Sequence, residues 1–576
     1  MKRIIRELGN LRILTFLGVF LAVGGSALMI FAPNIVKDLT NEIAKGLTPA
    51  GIDFEVVKAI VLGLVLMYVA GALFQLLEGL LMAQVSNRFA QRLRERISKK
   101  INILPLNYFD KNQTGDTLSR VTNDVDMIAQ SLNQSLSTLI SETILLVGAA
   151  IAMFVTNIQM AAIAVFASVV GFIAMGAVLK RSQKYFDMRQ KELGKLNSHI
   201  EQIYSGLIVV KAYNGKNDSD VLFDKYNKSV YVANQKSRFL SGLMHPIMNF
   251  IGNLGYVAVC VTGAILAQQG TISFGTIVAF ITYVRLFTSP LSNIAQSFSS
   301  LQSAAAAGER VFEFLDEKEL VSDKLFEDNL AKASVKGTIE FKNVKFSYDK
   351  KKPVIKDFSA IAKPGQKIAI VGPTGAGKTT LVNLLMKFYD IDDGEIIIDG
   401  HKQTEISRKK IHSLFTMVLQ DTWMFEGTLR ENIVYNRKGV SDKDIMKICD
   451  TVGLTHFVNT LPDGLDTKIS EADSISAGQK QLITIARGMV ENSPFLILDE
   501  ATSNVDTRTE ELVQKAMDKL MQGRTSFVIA HRLSTIKNAD MILVMRDGDI
   551  VESGSHKKLM EQNGFYADLY NSQFAL

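Results

Sequence analysis

Cysteine is nearly absent from this sequence, which has only Cys260 and Cys449 in a chain of 576 residues. Cys260 lies in a strongly apolar stretch and Cys449 in the more polar C-terminal part, so we do not expect them to pair. Small secreted proteins stabilised by disulfides carry many closely spaced cysteines. The scarcity argues against that class and fits a chain in a reducing cytoplasm and a bilayer, where both thiols are inert packing residues.

Long apolar runs are abundant in the first 320 residues. A helix rises 1.5 Å per residue, so about 20 apolar residues cross a hydrocarbon core about 30 Å thick. Six stretches reach this length, and we predict membrane-spanning helices at 12–36, 57–84, 133–156, 158–179, 240–267 and 272–300. The first has no small-residue cleavage site at its end, which predicts a retained helix and not a removed signal peptide.

Basic residues mark one side of the membrane. They are concentrated in the segments 88–100 and 180–191 after the second and fourth spans, whereas the turns around Asn157 and Gly270 carry none. By the positive-inside rule, the N-terminus, both long loops and the C-terminal part are cytoplasmic. These loops and the anionic inner leaflet account for the formal net charge of +6, so we expect a lipid bilayer as partner and no nucleic acid.

A glycine-rich loop dominates the C-terminal part. The run Gly372-Pro-Thr-Gly-Ala-Gly-Lys-Thr379 follows an apolar strand at 367–371 and precedes a helix at 380–386. In that context the glycines let backbone N–H groups face an anion, the lysine reaches the outer phosphates and the last threonine can ligate magnesium. The sequence therefore predicts a nucleoside triphosphate site formed by Gly372, Pro373, Thr374, Gly375, Ala376, Gly377, Lys378, Thr379 and Thr380.

Two carboxylates end a second apolar strand at 495–500. An all-apolar strand is typical of a buried parallel sheet, and such sheets bind ligands at the carboxyl ends of their strands. We expect Asp499 to hold the magnesium shell and Glu500 to polarise the attacking water, because phosphoryl transfer needs mainly charge neutralisation and positioning.

Further motifs around these two make residues 337–576 resemble the ATP-binding cassette of ABC proteins. The residues Ser476, Ala477, Gly478 and Gln479, preceded by Ile475, resemble the signature motif of that family. The resemblance implies that Tyr348 stacks on adenine, that Gln420 is the glutamine-loop residue and water-mediated magnesium ligand, that Ser503 and Asp506 form the D-loop, and that His531 is the switch histidine. It implies catalytic roles for Glu500, His531 and Gln420, magnesium ligation by Thr379 with Gln420 and Asp499 acting through water, and ATP and Mg²⁺ as ligands.

The resemblance also implies a second chain. In this family the signature motif caps the nucleotide bound to a partner cassette, so two cassettes close around two ATP molecules. One apolar part and one cassette without an internal repeat therefore imply a half-transporter. The C-terminal segments 499–510 and 564–574 look most like the catalytically complete subunit of heterodimeric bacterial multidrug exporters, which favours a heterodimer over a homodimer.

The implied architecture is a six-helix transmembrane bundle with long cytoplasmic helical extensions, followed by an α/β P-loop cassette. We predict a transmembrane domain at 1–320, a linker at 321–336 and the cassette at 337–576. Segments near 106–125 and 203–216 resemble coupling helices, with Tyr108, Phe109 and Asp110 in the first.

The implied function is ATP-driven export of hydrophobic or amphipathic compounds of the multidrug type, from a bacterial plasma membrane. Lipid or lipopolysaccharide flipping on the same fold stays the alternative, and an ATP-gated channel or regulator is the alternative of a different class. Polar residues in the spans are candidates for the substrate path, namely Glu78, Asn249 and Arg285. For Glu78 and for Glu142, cation or proton handling and a helix–helix hydrogen bond both stay open.

Overall fold

The computed structural model of the chain describes residues 2–47, 51–323, 326, 335–420, 422–435, 437–469, 475–499, 507–530 and 533–574. The chain divides into two compact units. The first contains Met1–Asn102 and Thr114–Glu317, and the second contains Ile103–Gln113 and Lys318–Leu576.

The first unit is entirely helical in its described part. Its helices are α1 (Lys2–Glu7), α2 (Leu11–Ala44), α3 (Phe54–Ile101), α5 (Thr114–Ser119), α6 (Val125–Gln130), α7 (Leu136–Thr156), α8 (Ile158–Ser205), α9 (Leu207–Ala212), α10 (Lys216–Gly242), α11 (Met244–Gln268) and α12 (Phe274–Asp316), while the short α4 (Leu106–Lys111) belongs to the second unit. Two five-residue π-helical segments, Arg120–Asp124 and Ser131–Ser135, join α5, α6 and α7.

Among the residues that the structure describes, six helical segments are long and apolar enough to cross a membrane, which confirms the predicted number. Both α3 and α8 contain 48 residues. At 1.5 Å per residue each is about 72 Å long, more than twice the hydrocarbon thickness of about 30 Å. The helices therefore continue past the apolar stretches as long extensions, and their cytoplasmic location stays a prediction. The fifth span starts later than predicted, because α10 ends at Gly242 and α11 begins at Met244.

A buried tyrosine ties the first and last spanning helices together. Tyr283 of α12 is fully buried, and its hydroxyl donates a hydrogen bond to the Ile30 carbonyl of α2 at 3.3 Å. Near the extracellular end predicted for α12, the Asn41 side chain accepts the Gly275 N–H at 2.9 Å. Polar contacts at two heights therefore fix the packing of these helices.

The second unit is an α/β domain built on a ten-stranded sheet in the order β5-β4-β1-β2-β12-β11-β3-β10-β9-β6. The strands are β1 (Ile339–Phe346), β2 (Ile355–Ala362), β3 (Lys367–Val371), β4 (Asp393–Ile398), β5 (His401–Lys402), β6 (Phe415–Val418), β7 (Gly427–Thr428), β8 (Lys468–Ile469), β9 (Phe495–Asp499), β10 (Thr525–Ile529), β11 (Met541–Arg546) and β12 (Asp549–Gly554), of which β7 and β8 form a separate pair. The helices are α13 (Lys378–Leu385), α14 (Arg408–Leu414), α15 (Leu429–Val434), α16 (Asp442–Val452), α17 (Thr455–Thr460), α18 (Ala477–Glu491), α19 (Thr507–Met521), α20 (Leu533–Lys537), α21 (His556–Glu561) and α22 (Phe565–Phe574).

Five neighbouring strands, β11, β3, β10, β9 and β6, are parallel. Every residue of β10 is buried, as is every residue of β9 before Asp499. One core lies around α13 and the β1–β2 region, and a second lies around α15, α16, α18 and α19. Strands covered on both faces explain the continuous apolar runs in the sequence. A six-helix region followed by an α/β cassette is the predicted fold class, which is confirmed.

Candidate functional site

The carboxyl ends of the parallel strands gather the predicted nucleotide-binding residues at one edge. Ile529 of β10 lies opposite Ile370 of β3 on one side and Asp499 of β9 on the other. Leu498 of β9 lies opposite Val418 of β6. The glycine-rich loop after β3, Asp499, and Gln420 two residues after β6 therefore share this edge, where parallel sheets bind ligands.

Two glycines in the loop are required by its geometry. Gly377 caps α13 with φ of 100°, a left-handed conformation that disfavours any side chain. A Cβ at Gly372 would lie 2.3 Å from the Met545 carbonyl oxygen, so only hydrogen fits there. Pro373, Thr374, Gly375 and Thr379 are exposed along the rim, whereas Ala376 and Thr380 are buried beneath it. The loop thus presents backbone and a hydroxyl outward at a helix N-terminus, which is the arrangement that binds phosphates.

Lys378 folds back over this loop. Its ammonium donates hydrogen bonds to the carbonyls of Gly372 at 2.7 Å and Pro373 at 3.0 Å. The side chain is 9% exposed. Burial lowers the pKa of Lys378, and the Asp499 carboxylate acts in the opposite direction. A cation is therefore already held, and partly desolvated, where the loop would receive phosphate oxygens.

The oxygen donors at this edge fit magnesium. The Thr379 hydroxyl is exposed at the start of α13, Gln420 is exposed after β6, and Asp499 ends β9 half-buried. Mg²⁺ prefers hard oxygen ligands and keeps several waters, so a few such groups together with phosphates suffice. The chemistry of these residues fits the ion, and magnesium binding here stays a prediction.

Aromatic rings form a platform beside the loop. Tyr348 follows β1, is 38% exposed, and meets Phe346 edge-on with ring centroids 4.9 Å apart. Tyr389 meets Tyr348 edge-on at 5.0 Å. The Asn383 amide of α13 donates to the Tyr348 hydroxyl at 3.4 Å. Sequence reasoning missed Tyr389, for which the only signal is an aromatic pair, Phe388 and Tyr389, soon after the phosphate-loop helix.

The signature residues begin α18 as a capping box. The Ser476 hydroxyl accepts the Gln479 N–H at 3.2 Å, and the Gln479 side chain accepts the Ser476 N–H at 3.1 Å. Ser476 and Ala477 are exposed, while Gly478 is buried. Because the serine oxygen only accepts in this box, its own proton is available to an outside acceptor.

Several predicted residues lie outside the described part of the chain. They are Glu500, the D-loop residues Ser503 and Asp506, the switch residue His531, and the segment 470–474 before the signature. Ala530 directly precedes His531, and its N–H donates to the Ile370 carbonyl at 3.3 Å. The residue before His531 therefore leaves β10 at the same edge as the loop after β3.

The first predicted coupling segment, 106–125, is divided between the two units, and its part up to Gln113 belongs to the cassette unit. In α4, Tyr108 and Phe109 are half-buried and pack edge-on with ring centroids 5.4 Å apart. The Tyr389 hydroxyl donates a hydrogen bond to the Asp110 carboxylate. Leu320 lies near the start of the part of the chain that forms the cassette unit, and its N–H donates to the Ile103 carbonyl at 2.9 Å. The segment Ile103–Gln113 is thus held by cassette residues.

The second predicted coupling segment, α9, lies in the first unit and exposes apolar surface. Ile208 is 84% exposed and Tyr213 is 83% exposed. No residue of α9 is buried. An apolar turn of helix beyond the end of a long polar extension is suited to contact with another protein surface.

The predicted substrate-path residues are separate from one another. Glu78 lies half-buried on α3, and Asn249 on α11 and Arg285 on α12 are exposed on the surface of this single chain. Each of the three is described, and no hydrogen bond or ion pair joins any two of them. A different polar pair joins the bundle, because the Asn293 amide of α12 donates to the Glu142 carboxylate of α7 at 2.7 Å. For Glu142 the structure therefore shows a helix–helix hydrogen bond.

Comparison with known proteins identifies the family. Residues 15–291 match the family "ABC transporter transmembrane region", and residues 355–503 match the family "ABC transporter". A fatty acid ABC transporter ATP-binding/permease protein of Mycobacterium bovis is 45% identical over 518 residues, which cover 90% of this chain and 81% of that protein. This chain is an ABC transporter. Its cassette therefore binds and hydrolyses ATP.

Two further comparisons define this transporter more closely. An ATP-dependent lipid A-core flippase of Syntrophus aciditrophicus is 33% identical over 548 residues, covering 94% of this chain and 90% of that protein. The structure of a bacterial Atm1-family ABC exporter with ATP bound is 25% identical, covers 99% of both chains and superposes with a TM-score of 0.76. The transporter is an integral membrane protein with the fold of an ABC exporter half, and ABC exporters work as dimers in the membrane.

Proposed function

We propose that this half-transporter exports hydrophobic or amphipathic compounds, with acyl-chain compounds among its substrates, across a bacterial plasma membrane. The observation that carries the ATP-driven part is the convergence of Lys378, Asp499 and Gln420 at one sheet edge. The substrate class is supported by the names of two relatives, a fatty acid transporter and a lipid A-core flippase. Both names favour the lipid alternative, while the broader multidrug substrate range stays a prediction.

The residues at the sheet edge have separate roles in this proposal. Adenine would stack on Tyr348, and the Lys378 ammonium would exchange the Gly372 and Pro373 carbonyls for the outer phosphate oxygens. Thr379 would hold magnesium, with Gln420 and Asp499 acting through water, and the ion supplies neutralisation of phosphate charge. Glu500 would orient the attacking water and His531 would contact the reacting phosphate, as catalytic residues of the cassette family.

The signature geometry supports closure of two cassettes. The Ser476 hydroxyl accepts a hydrogen bond from its own helix and keeps one proton to donate. That proton, together with the free N–H groups at the start of α18, would bind the terminal phosphate held by the partner's cassette. Residues Ser503 and Asp506 would face the same interface. ATP then joins the two halves, and hydrolysis separates them.

Coupling to the membrane helices is assigned to the intracellular segments. Tyr108 and Phe109 in α4 would transmit closure of the cassettes to α3, which precedes them. The exposed α9 would dock on the partner's cassette. A gating role without transport is less well supported, because a complete set of hydrolytic motifs, with Glu500 after Asp499, favours turnover.

A transport assay tests the proposed function. In inside-out vesicles that contain the transporter, we expect ATP to drive a fluorescent phospholipid and an acylated dye into the lumen. The deacylated headgroup is the matched control and should not move, because it has no apolar tail to partition into the bundle. ATP hydrolysis with no movement of any acylated compound would contradict the export proposal and favour the channel or regulator alternative.

We also propose that the partner is a second, different half-transporter. The support is the resemblance of the C-terminal segments and the segment 470–474 before the signature, which lacks the glycine that many family members carry there. In that arrangement the two ATP sites hydrolyse ATP at different rates. Lys378 and Glu500 would serve the faster site, and Ser476 would cap the nucleotide of the slower site. A symmetric pair would close equally well on physical grounds.

Expression of this chain alone tests the partner proposal. We expect a monomer, or a dimer whose ATPase is not stimulated by substrate, because one kind of site is missing its complement. Co-expression with a similar half-transporter from the same genome should restore stimulated turnover. A stable homodimer with full, substrate-stimulated ATPase refutes the heterodimer, and size-exclusion chromatography with light scattering provides the oligomeric state.

A further inference from the structure

We infer that Tyr389 is a positioning residue that links occupancy of the adenine platform to the first coupling helix, α4. The inference deepens the proposed function and rests on its assignment of Tyr348 and α4. It adds Tyr389 to the site. It also adds a route of contacts that runs from the bound adenine through Tyr348 and Tyr389 to Asp110.

The first contact joins the cassette to α4. The Tyr389 hydroxyl donates to the Asp110 carboxylate across 279 residues of sequence. Burial, and then this hydrogen bond to Asp110, raise the pKa of Tyr389 well above its usual range. The hydroxyl therefore keeps its proton at neutral pH and stays a donor. A donor facing a carboxylate is also among the stronger classes of hydrogen bond.

The second contact joins Tyr389 to the platform. Its ring meets Tyr348 at 5.0 Å with the planes 88° apart, and meets Phe346 at 5.7 Å with the planes 62° apart. Phe346 is buried in β1 and cannot move without disturbing the core. Edge-to-face pairs favour a particular ring orientation. The orientation of Tyr389 thus depends on that of Tyr348.

Tyr348 is the movable member of the set. It is 38% exposed, and its hydroxyl accepts a long hydrogen bond of 3.4 Å from the Asn383 amide. A base stacked on Tyr348 would restrict its orientation, and through the edge-on contact would restrict Tyr389 and its hydroxyl. By reciprocity, a Tyr389 held by Asp110 favours the ring orientation that receives the base, so α4 and the nucleotide influence each other's binding.

The experiment measures ATP dissociation constants of the full-length chain without hydrolysis, in the absence of magnesium. We expect Asp110→Ala to weaken ATP binding about 2- to 10-fold, although Asp110 has no proposed contact with nucleotide. Tyr389→Phe, which keeps the ring and removes only the hydroxyl, should weaken it equally. The double variant should be no weaker than either single variant, since all three lack the same hydrogen bond.

Three further measurements separate this role from a merely structural one. Asp110→Asn keeps a carbonyl acceptor and should restore most of the affinity. Inorganic tripolyphosphate has no base, so its affinity should be unchanged in every variant. Asp116→Ala removes an exposed carboxylate from the same loop and should bind ATP like the wild type.

Additive losses in the double variant, or equal losses for ATP and tripolyphosphate, would overturn the inference. An unchanged ATP affinity in Tyr389→Phe would do the same, and this variant alters no packing, so misfolding cannot explain the result. Failure of the proposed function looks different, because the wild type would then bind ATP with the expected dependence on Asp110 and yet move no substrate.

Discussion

Replacing Glu500 by glutamine is expected to leave ATP binding intact and to slow hydrolysis about 10²- to 10⁴-fold, the usual effect of losing a general base. The substitution keeps the shape of the side chain and removes its charge. Asp499, at the end of β9, is the carboxylate proposed to hold magnesium, and the cassette resemblance assigns orientation of the attacking water to the next residue, Glu500. Steady-state ATPase and equilibrium ATP binding of the purified transporter provide the two measurements.

The matched control for this change is Glu511→Gln, an exposed carboxylate on α19. It removes the same charge from the same unit, and we expect wild-type turnover. A Glu500→Gln transporter that hydrolyses ATP within a few-fold of the wild type would show that the catalytic carboxylate is elsewhere or that the partner's site supplies the rate.

Replacing Lys378 by methionine is expected to weaken ATP binding about 10- to 100-fold, because hydrogen bonds to charged groups contribute about 1.5–3 kcal/mol. The chain should still fold, since a buried cation is exchanged for an apolar side chain of similar length. The Gly372 and Pro373 carbonyls lose their donor, and the phosphates lose the ammonium that would replace those carbonyls. Titration with a fluorescent ATP analogue measures the change.

Lys363→Met is the control for this second prediction. Lys363 is exposed on the turn between β2 and β3, at the opposite end of β3 from the phosphate loop. We expect its affinity to equal that of the wild type. If both lysine variants lost affinity equally, the loss would come from net charge and not from the phosphate loop.

Features defined by contiguous residues could be predicted from the sequence. The loop Gly372–Thr379 combines positive-φ glycines with a helix start, and both are local properties. The membrane spans follow from length and hydropathy alone. The placement of Asp499 at the same sheet edge as the loop was also predictable, because the parallel strands β3 and β9, with β10 between them, end at one edge.

Features that depend on pairing between distant elements could not be predicted. Nothing near Tyr389 indicates that its hydroxyl meets Asp110, which is 279 residues away. Glu142 was identified as an unusual intramembrane carboxylate, yet its partner Asn293 lies on a helix whose rotation the sequence does not determine. The same helix, α12, also continues through Pro290, which is buried. Packing against neighbouring helices, and not the local sequence, therefore decides whether α12 ends at this proline.

The length of α8 has a mechanical consequence. The helix runs unbroken and without proline from Ile158 to Ser205, and α9 follows after a single residue. Of its roughly 72 Å, about 40 Å extends beyond a hydrocarbon core of about 30 Å. A tilt of about 5° at the membrane surface then displaces the far end by about 3.5 Å, comparable with the helix shifts at switching interfaces. The extension therefore acts as a lever arm. A small change of helix tilt in the bilayer produces a larger displacement of α9. Conversely, a force applied at α9 produces a greater force on the shorter part of α8 within the bilayer.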